Sequence, residues 1–496
     1  MTGPRRVLLI NPTITSRKSA RFPLAVLNLS ASLDGKYSTT ILDGNIDRDI
    51  AATAARTVRE QRVDAVGLSV MGGPQLVSAI AVSRAIREQS PQTPIIWGGH
   101  FPTICPDAAL NAPYVDYAIR AQGEDTFAEL LDAHFDDRLD RLASIAGLSW
   151  HSDAGNVHNK DRAFSTASLS RALPFERLGN LRQYLGRTYL GQRTAGYQAA
   201  LGCRFRCTFC GVAAMFRGKM ALPTASRLEH DLSWLRSQLG ADAIQFYDHN
   251  FFDREVDMVP LLEVLARARL PWWCFARSDA LLNLSESSWA LVRKSGLRMT
   301  YIGAESPSDW LLHDLRKGTR SDQTLAAVEK CRSQGVIPEL SFMLAPPQDP
   351  EGETEKTFEY IRRIKRMHPA TEIMIYVYTP LPARGGKNPE LRDYRGEPVI
   401  FPTTADEWAQ PEWRAYWCHS DAPWVTPRLH QRIRDFTTVL GCRFPTITDI
   451  RSPSWGKTAL RALASWRYRY RRYDQPWELN LSRKVIRLWD PRVSSL

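Results

Sequence analysis

Short apolar runs alternate with amphipathic stretches from the start of the chain. Residues 5–10, 64–70 and 94–99 read as buried strands, and 75–89 carries the apolar spacing of a helix between two of them. Strands alternating with helices predict an α/β unit with a parallel, doubly wound sheet. Gly72-Gly73, Gly98-Gly99 and Gly123 follow strand ends. Glycines there either make tight turns or shape a ligand site outside the carboxyl ends of the strands. Taken singly, each reads as a turn glycine.

Residues 136–192 lose this rhythm; they are polar and basic and predict a linker. A second series then begins. Strands are expected at 197–201, 242–247, 272–276, 299–304, 337–344 and 372–378, with helices at 225–238, 255–268, 321–334 and 353–366. Six strand–helix units predict a partial or full β/α barrel, whose function sits at the carboxyl ends of its strands. From 391 onward the pattern is mainly helical, with a helix at 428–440.

A chain of 496 residues is long for one core and fits two or three domains. The start, MTGPRRVLLINP, has a basic pair but only a four-residue apolar run, too short for a signal-peptide core. No stretch is long and apolar enough for a membrane span, so a cytoplasmic location is the default expectation. The net charge of +12 is uneven. From Arg451 to Leu496 there are eleven Lys/Arg and three Asp/Glu, and 391–496 holds eight of the fifteen tryptophans.

Of the eight cysteines, Cys203, Cys207 and Cys210 fall within eight residues, in LGCRFRCTFCGV. Three thiolates on a loop after a strand can hold one face of a metal centre. A structural zinc site wants four ligands, commonly two separated pairs, and the next cysteine is Cys274. A ferredoxin-type cluster also wants four cysteines, in other spacings. Three ligands would leave one iron of a four-iron cluster open to a cosubstrate. The bland alternative is three buried cysteines or an incomplete zinc knuckle.

The C-x3-C-x2-C spacing, with Phe209 before the last cysteine, resembles the signature of the radical S-adenosylmethionine (SAM) superfamily. FYDHNFF (246–252), FARSD (275–279), GAES (303–306), RKGTR (316–320) and APPQDPEGET (345–354) are similar to the family's later motifs in order; the last carries three extra prolines. The resemblance implies a 4Fe–4S cluster on Cys203, Cys207 and Cys210. It also implies SAM held near Phe209, Asp248, Asn250, Arg277, Glu305 and Ser341, and cleavage of SAM to a 5′-deoxyadenosyl radical. Singly, Asp248 or Glu305 would pass for a helix cap or a surface acid.

Residues 1–135 resemble the cobalamin-binding domain that precedes this barrel in one subgroup, through LLINP (8–12), DGN (43–45), VGLSVMGGPQ (66–75), WGGHFPT (97–103) and GED (123–125). The other reading of the fold is a flavodoxin-like domain with another ligand or none. The resemblance implies cobalamin contacts at Asn45, Ser69, Met71, Gly98, Gly99, His100, Gly123 and Glu124. The Asp-x-His-x-x-Gly motif of many cobalamin proteins is absent, because DGNID (43–47) has no histidine. The expected fold is therefore a Rossmann-like cobalamin-binding domain at 1–135, a linker at 136–192, a partial TIM radical SAM barrel at 193–390 and a helical substrate-side region at 391–496.

The implied activity is C-methylation of an unactivated carbon through the deoxyadenosyl radical and methylcobalamin. An sp3 carbon is not nucleophilic, so a second cofactor gains its use once hydrogen abstraction has made a carbon radical. One rival is a cyclase or oxidative enzyme of the porphyrin-ring type. A tRNA-modifying methylthiotransferase would carry a second three-cysteine set, and the amino-terminal region has only Cys105. A non-enzymatic iron–sulfur or nucleic-acid-binding module leaves the later motifs unexplained. The implied partners are a small-molecule substrate and an electron donor such as flavodoxin or ferredoxin, with no nucleic acid. For the basic aromatic tail, a barrel cap, a nucleic-acid surface and an anionic membrane contact compete, and a partly packed basic helix is the plainest reading.

Overall fold

The structure is a computed structural model that describes residues 4–382, 387–448 and 454–489. The first apolar run forms β1 (Arg6–Asn11), with Val7 to Ile10 buried. It pairs in parallel with β2 (Ser38–Asp43) and β3 (Ala65–Ser69). β4 (Ile95–Gly98) and β5 (Tyr117–Ile119) extend the sheet in parallel. Helices α1 (Leu24–Ser32), α2 (Ile50–Gln61), α3 (Pro74–Gln89), α4 (His100–Ile104), α5 (Pro106–Leu110) and α6 (Glu124–Phe135) cross between or follow the strands.

The segment 136–192 departs from the expected linker. β6 (Leu148–Ser152) pairs antiparallel with β5, and β7 (Gly155–His158) closes a hairpin on it. The first sheet thus has seven strands in the order β2-β1-β3-β4-β5-β6-β7. The strands are too short and too polar on one face for their pairing to be read from pattern. Arg120 holds the return of this hairpin, bonding Asp161 and the Asn159 carbonyl.

The second sheet has the order β16-β15-β14-β13-β12-β9-β8. Its members are β8 (Leu185–Gly186), β9 (Thr194–Tyr197), β12 (Ala243–Phe246), β13 (Trp272–Ala276), β14 (Leu297–Glu305), β15 (Ile337–Leu344) and β16 (Glu372–Val377). Six strands run parallel and β8 is antiparallel at the edge. No pairing among the described residues joins the two edges, so the barrel is partial. Its first strand ends at Tyr197, earlier than the expected 197–201. β10 (Leu201–Gly202) and β11 (Met220–Ala221) instead form a separate antiparallel ribbon around the cysteine loop.

The barrel helices carry their own stop and start signals. In α8 (Ala225–Leu239) the Thr224 hydroxyl accepts from the Arg227 N–H, and Gly240 ends the helix in the left-handed region. α9 (Glu255–Ala268), α10 (Ser278–Leu282), α11 (Glu286–Ser295), α12 (Asp309–Asp314) and α13 (Ser321–Gln334) follow. α14 (Pro350–Met367) explains one of the extra prolines: Pro350 sits in its first turn behind the Asp349 cap, where a missing N–H costs nothing.

The carboxyl-terminal region bridges both sheets. Beyond the ribbon β17 (Lys387–Arg392) and β18 (Pro398–Ile400) lie α15 (Ala405–Trp408), α16 (Pro411–Trp417), α17 (Pro427–Arg443), α18 (Ser454–Arg469) and α19 (Trp477–Trp489). Phe401, Trp408, Trp413, Tyr416 and Trp417 pack ring on ring. Asp406 takes an ion pair from Arg84 at 2.7 Å and a hydrogen bond from Tyr114 at 3.1 Å, which ties this knot to the first domain. The Trp424 indole N–H donates to the Ala345 carbonyl at 2.8 Å, which ties it to the barrel.

Candidate functional site at the meeting of two sheet edges

The cysteine loop is built by the ribbon that frames it. Gly202 has φ +75°, and a Cβ there would lie 2.2 Å from the Lys219 carbonyl oxygen, so only glycine makes this corner. The Cys203 N–H donates back to the same Lys219 oxygen at 3.0 Å. The Cys210 N–H donates to the Cys207 carbonyl at 3.2 Å, and Cys210 leads into α7 (Gly211–Phe216). All three thiols are free; Cys207 is buried and the other two are half-buried. Among the described residues no three His, Cys, Asp or Glu side chains converge as a closed metal-binding group. Burial first, and then the neighbouring cysteines, push the Cys210 thiol above its ordinary range. Three thiols on one short loop, once deprotonated, are the donor set that an iron–sulfur cluster takes.

Several expected residues support this loop. Asp248 is fully buried after β12 and accepts from the N–H groups of Ala199, at 3.2 Å, and of Ala200. Burial pushes its carboxyl up to about 7, against those two backbone bonds. It therefore pins the stretch that enters the cysteine loop. Arg277 lies 3.5 Å above the Phe205 ring, inside the loop, and chelates Asp279 through two bonds of 3.0 and 2.9 Å. It also donates to the Lys317 carbonyl at 2.7 Å.

Other expected residues carry free or charged groups at the carboxyl end of the barrel. Asn250 is buried, and neither its amide nitrogen nor its oxygen has a partner among the described residues. Such an orphaned amide is costly unless a ligand satisfies it. Glu305 sits at the end of β14 with φ +61°, where a bulge shifts the register past Gly303. It is buried, pairs with Lys317 at 2.8 Å, and faces the Ser341 hydroxyl at 3.5 Å. A non-glycine residue held in the left-handed region beside a buried ion pair is the kind of strain that collects at binding sites. Lys317 also lies 5.9 Å from the Phe209 ring. These groups fit the amino, carboxylate and ribose groups of SAM, and the thiols fit its cluster.

In the first domain the sheet order places a topological switch between β1 and β3, where such sheets bind ligands. The Asn45 side-chain Oδ1 accepts from the N–H groups of Ile14 and Thr15, at 2.9 and 3.0 Å, and so anchors the loop after β1. Gln75 spans the switch, donating to Asn11 at 3.0 Å and to the Pro12 carbonyl at 2.9 Å. Ser69 ends β3, and Met71 beyond it is exposed. Gly98 closes β4; Gly99, with φ +95°, turns the chain into α4, and a Cβ there would lie 3.1 Å from the Val70 carbonyl oxygen. Gly123 and Glu124 open α6, and burial first raises the Glu124 carboxyl. His100 has a desolvated ring, pushed down to about 4, and its Nδ1 is buried without a partner. A crest of glycines and small residues around a ring nitrogen unpartnered among the described residues fits a flat macrocycle.

The two crests meet. A Cβ on Gly211, next to Cys210, would overlap the His100 ring, and α4 packs on α7. Trp417 covers the first of them: a Cβ on Gly72 would overlap its indole, and its ring stands edge-on to His100 at 5.5 Å. His419 carries φ +52° and bonds Thr379 after β16. His100 lies within electrostatic reach of His249 and His419. Lys317, Trp417 and His419 were not singled out from the sequence. Lys317 lay inside a recognised segment, whereas Trp417 and His419 carried no signal beyond the aromatic density of the region.

Comparison with known proteins agrees with this arrangement. Residues 10–131 match the B12 binding domain family and residues 197–361 the radical SAM superfamily. An uncharacterized methyltransferase of Pyrococcus horikoshii, PH0819, is 23% identical over 349 residues, covering 69% of this chain and 73% of the relative. The anaerobic magnesium-protoporphyrin IX monomethyl ester cyclase of Synechocystis is 22% identical over 349 residues, 67% of each. The radical SAM methyltransferase TsrM of Kitasatospora setae, with tryptophan substrate and a SAM analogue bound, superposes with a TM-score of 0.65 at 17% identity, over 93% of this chain and 96% of that one. The cobalamin-dependent radical enzyme OxsB superposes with a TM-score of 0.61 at 17% identity over 75% of this chain; the match spans about half, 53%, of OxsB. A cobalamin-type domain thus stands edge to edge with a radical SAM domain, and the chain belongs to the cobalamin-binding radical SAM enzymes, with cobalamin, SAM and a 4Fe–4S cluster as its cofactors.

Proposed function

We propose that the protein is a C-methyltransferase acting on an unactivated carbon of a small molecule, with electrons supplied by a donor of the flavodoxin or ferredoxin class. The observation that carries this reading is the contact of His100 with Gly211, which brings the crest of the first domain onto the loop of the three cysteines. When bound, the cluster with SAM supplies hydrogen-atom abstraction, and cobalamin supplies a methyl group. The chain's own task is then to hold, orient and exclude water.

In this reading Cys203, Cys207 and Cys210 ligate the cluster. Asn250, Glu305, Ser341 and Phe209 face SAM, with Lys317 holding Glu305 in place. Asp248 and Arg277 act through the cysteine loop that they pin, as positioning residues. Ser69, Met71, Gly98, Gly99 and His100 face the corrin, with Asn45, Gly123 and Glu124 shaping loops behind it. Trp417 and His419 close the chamber between the two crests, which keeps a reactive carbon away from solvent. The similarity to a methyltransferase and to TsrM supports methyl transfer.

The similarity to the magnesium-protoporphyrin cyclase supports a second reading, ring formation on a substrate by the same pair of cofactors. Product analysis separates the two. Methyl transfer yields S-adenosylhomocysteine in step with 5′-deoxyadenosine. Cyclisation yields 5′-deoxyadenosine without matching S-adenosylhomocysteine.

A further inference from the structure

Helix α18 has two apolar faces, and only one is covered. Gly456, Ala464 and Tyr468 are buried on its inner face, where it packs on α17. The Arg362 guanidinium lies 4.7 Å over the Tyr468 ring on that side. On the outer face Trp455, Ala459, Leu463, Trp466 and Tyr470 recur at helical spacing and form one stripe along the helix and its first residue beyond. Trp455 is 58% exposed, Leu463 42%, Trp466 50% and Tyr470 65%. On α19, Trp477 is 70% and Leu481 56% exposed. Of the sixteen exposed large hydrophobic side chains among the described residues, six lie between Trp455 and Leu481. A helix that served only to cap the barrel would carry polar residues there.

The stripe has a basic border. Arg469 is exposed beside it on α18, Arg471 and Arg472 on the turn after it, and Lys484 on α19, whereas Arg461 lies on the far side of the helix, beside Tyr468. From Ser454 to Lys484 there are eight Lys/Arg and two Asp/Glu, a net of +6 in a chain whose total is +12. Both acids are already paired, Glu478 with Arg467 and Asp474 with Arg432. The mixture of aromatic and basic residues in 466–473 therefore sorts into separate places. Arg467 is buried in the corner between α18 and α19, bonded to carbonyls of Arg472 and Asp474 at 3.1 and 2.9 Å, while Trp466 and Tyr470 point outward.

We propose that the outer face of α18 docks the protein on an anionic lipid bilayer. The helix lies in the plane of the interface, with Trp455, Trp466 and Tyr470 at headgroup level and Arg469 against lipid phosphates. Tryptophan and tyrosine prefer this layer because each joins an apolar body to a polar tip. An arginine reaches the phosphates while its stem stays on the apolar surface. Among the described residues no helix is long and apolar enough to cross a membrane, so the attachment is to one face of the bilayer. A single-stranded nucleic acid fits less well. It needs a groove in which cations alternate with stacking rings, and here Ala459 and Leu463 fill the stripe while the arginines stand beside it.

Flotation of the full-length holoprotein with vesicles tests this apart from any activity, so its failure leaves the proposed reaction untouched. Vesicles of phosphatidylcholine with phosphatidylglycerol should carry the protein upward, and pure phosphatidylcholine should do so far less. Binding should fall steeply with salt, because the screening length shrinks from ~8 Å at physiological ionic strength to ~3 Å at 1 M. Bromine-labelled acyl chains should quench tryptophan emission. Replacing Trp455, Trp466 and Tyr470 together by Ser should weaken binding more than tenfold while iron and cobalamin contents stay unchanged. Arg469→Ala should cost roughly fivefold and flatten the salt dependence, while Arg461→Ala on the far side should change binding far less, which keeps the test open if the triple variant misfolds. Absence of flotation with anionic vesicles at low salt overturns the proposal, as does equal binding by wild type and the Arg469→Ala variant. It is likewise overturned if the stripe instead mediates lipid-free dimerisation or RNA binding that the same variants abolish.

Discussion

In the proposed function, three thiols, one orphaned amide and one buried ion pair carry the chemistry at the scale of single residues. Replacing Cys203, Cys207 and Cys210 together by Ala should remove the iron and the SAM-cleaving activity but leave cobalamin bound, because the cobalamin crest belongs to the other sheet. Iron analysis and absorption spectra check this, and a surviving 4Fe–4S spectrum would contradict it. Asn250→Ala should leave the melting temperature nearly unchanged, since the amide makes no bond among the described residues. Its SAM dissociation constant should rise about tenfold, the worth of one net hydrogen bond of ~1.4 kcal/mol. Calorimetric titration with SAM measures that. Order and spacing in the sequence single out the thiols, the amide and Glu305 as candidates, but not Lys317. What they touch is not legible there. Asp248 and Arg277 looked like SAM contacts by their place in strand-end motifs, yet their partners are backbone groups and a ring of the cysteine loop. Lys317 could not be paired with Glu305 without the turn between them.

Elements set the loop that those residues need. Gly202→Ala must place a Cβ against the Lys219 carbonyl and hold a left-handed φ, so cluster loading should fall sharply. Gly335→Ala is the control. It has φ +69° but open space around it, so it should cost only the left-handed backbone, ~1–2 kcal/mol, with normal iron content. Equal iron in both variants would sink the argument about the ribbon. Asp248 adds a pH signature. Its folded carboxyl titrates at about 7, above the ordinary 3.8, so the native state keeps a proton that the unfolded chain releases. The unfolded state therefore binds fewer protons between about pH 4 and about pH 7, and stability falls as pH rises through that window, by on the order of 4 kcal/mol. Urea midpoints of wild type should fall across it more steeply than those of Asp248→Asn; parallel slopes would contradict the assignment. The barrel strands were legible because β-branched and aromatic runs recur between capped helices. The hairpin β6–β7 was not, because its strands are short and half-polar and gain their place only by pairing with β5. A similar limit hid the end of β9, where apolar residues run on past Tyr197 into a loop held by Asp248.

At the scale of the molecule, two sheets meet at the carboxyl-end crests of their strands and are bound together by aromatic side chains from a third region. The pairing of domains was legible from motif order, but not the clamp: tryptophan density marked 391–496 as unusual without saying that Trp417 covers Gly72 and His100. The tail presents both of the faces that competed in the sequence, one packed and one bare, and its residues 451–453 and 490–496 lie outside the described structure. At this scale the cobalamin should be held without an imidazole from the missing Asp-x-His-x-x-Gly motif. Paramagnetic resonance of the cob(II)alamin form should show no superhyperfine splitting from a protein histidine, and such splitting would point to His100. The most direct test of the central claim follows the methyl group. Reduced holoenzyme is supplied with SAM deuterated in its methyl group and with metabolites from cells lacking the gene. The account predicts a product bearing the intact deuterated methyl, with 5′-deoxyadenosine and S-adenosylhomocysteine formed in equal amounts. Consumption of substrate to an unlabelled product, with 5′-deoxyadenosine alone, would contradict it.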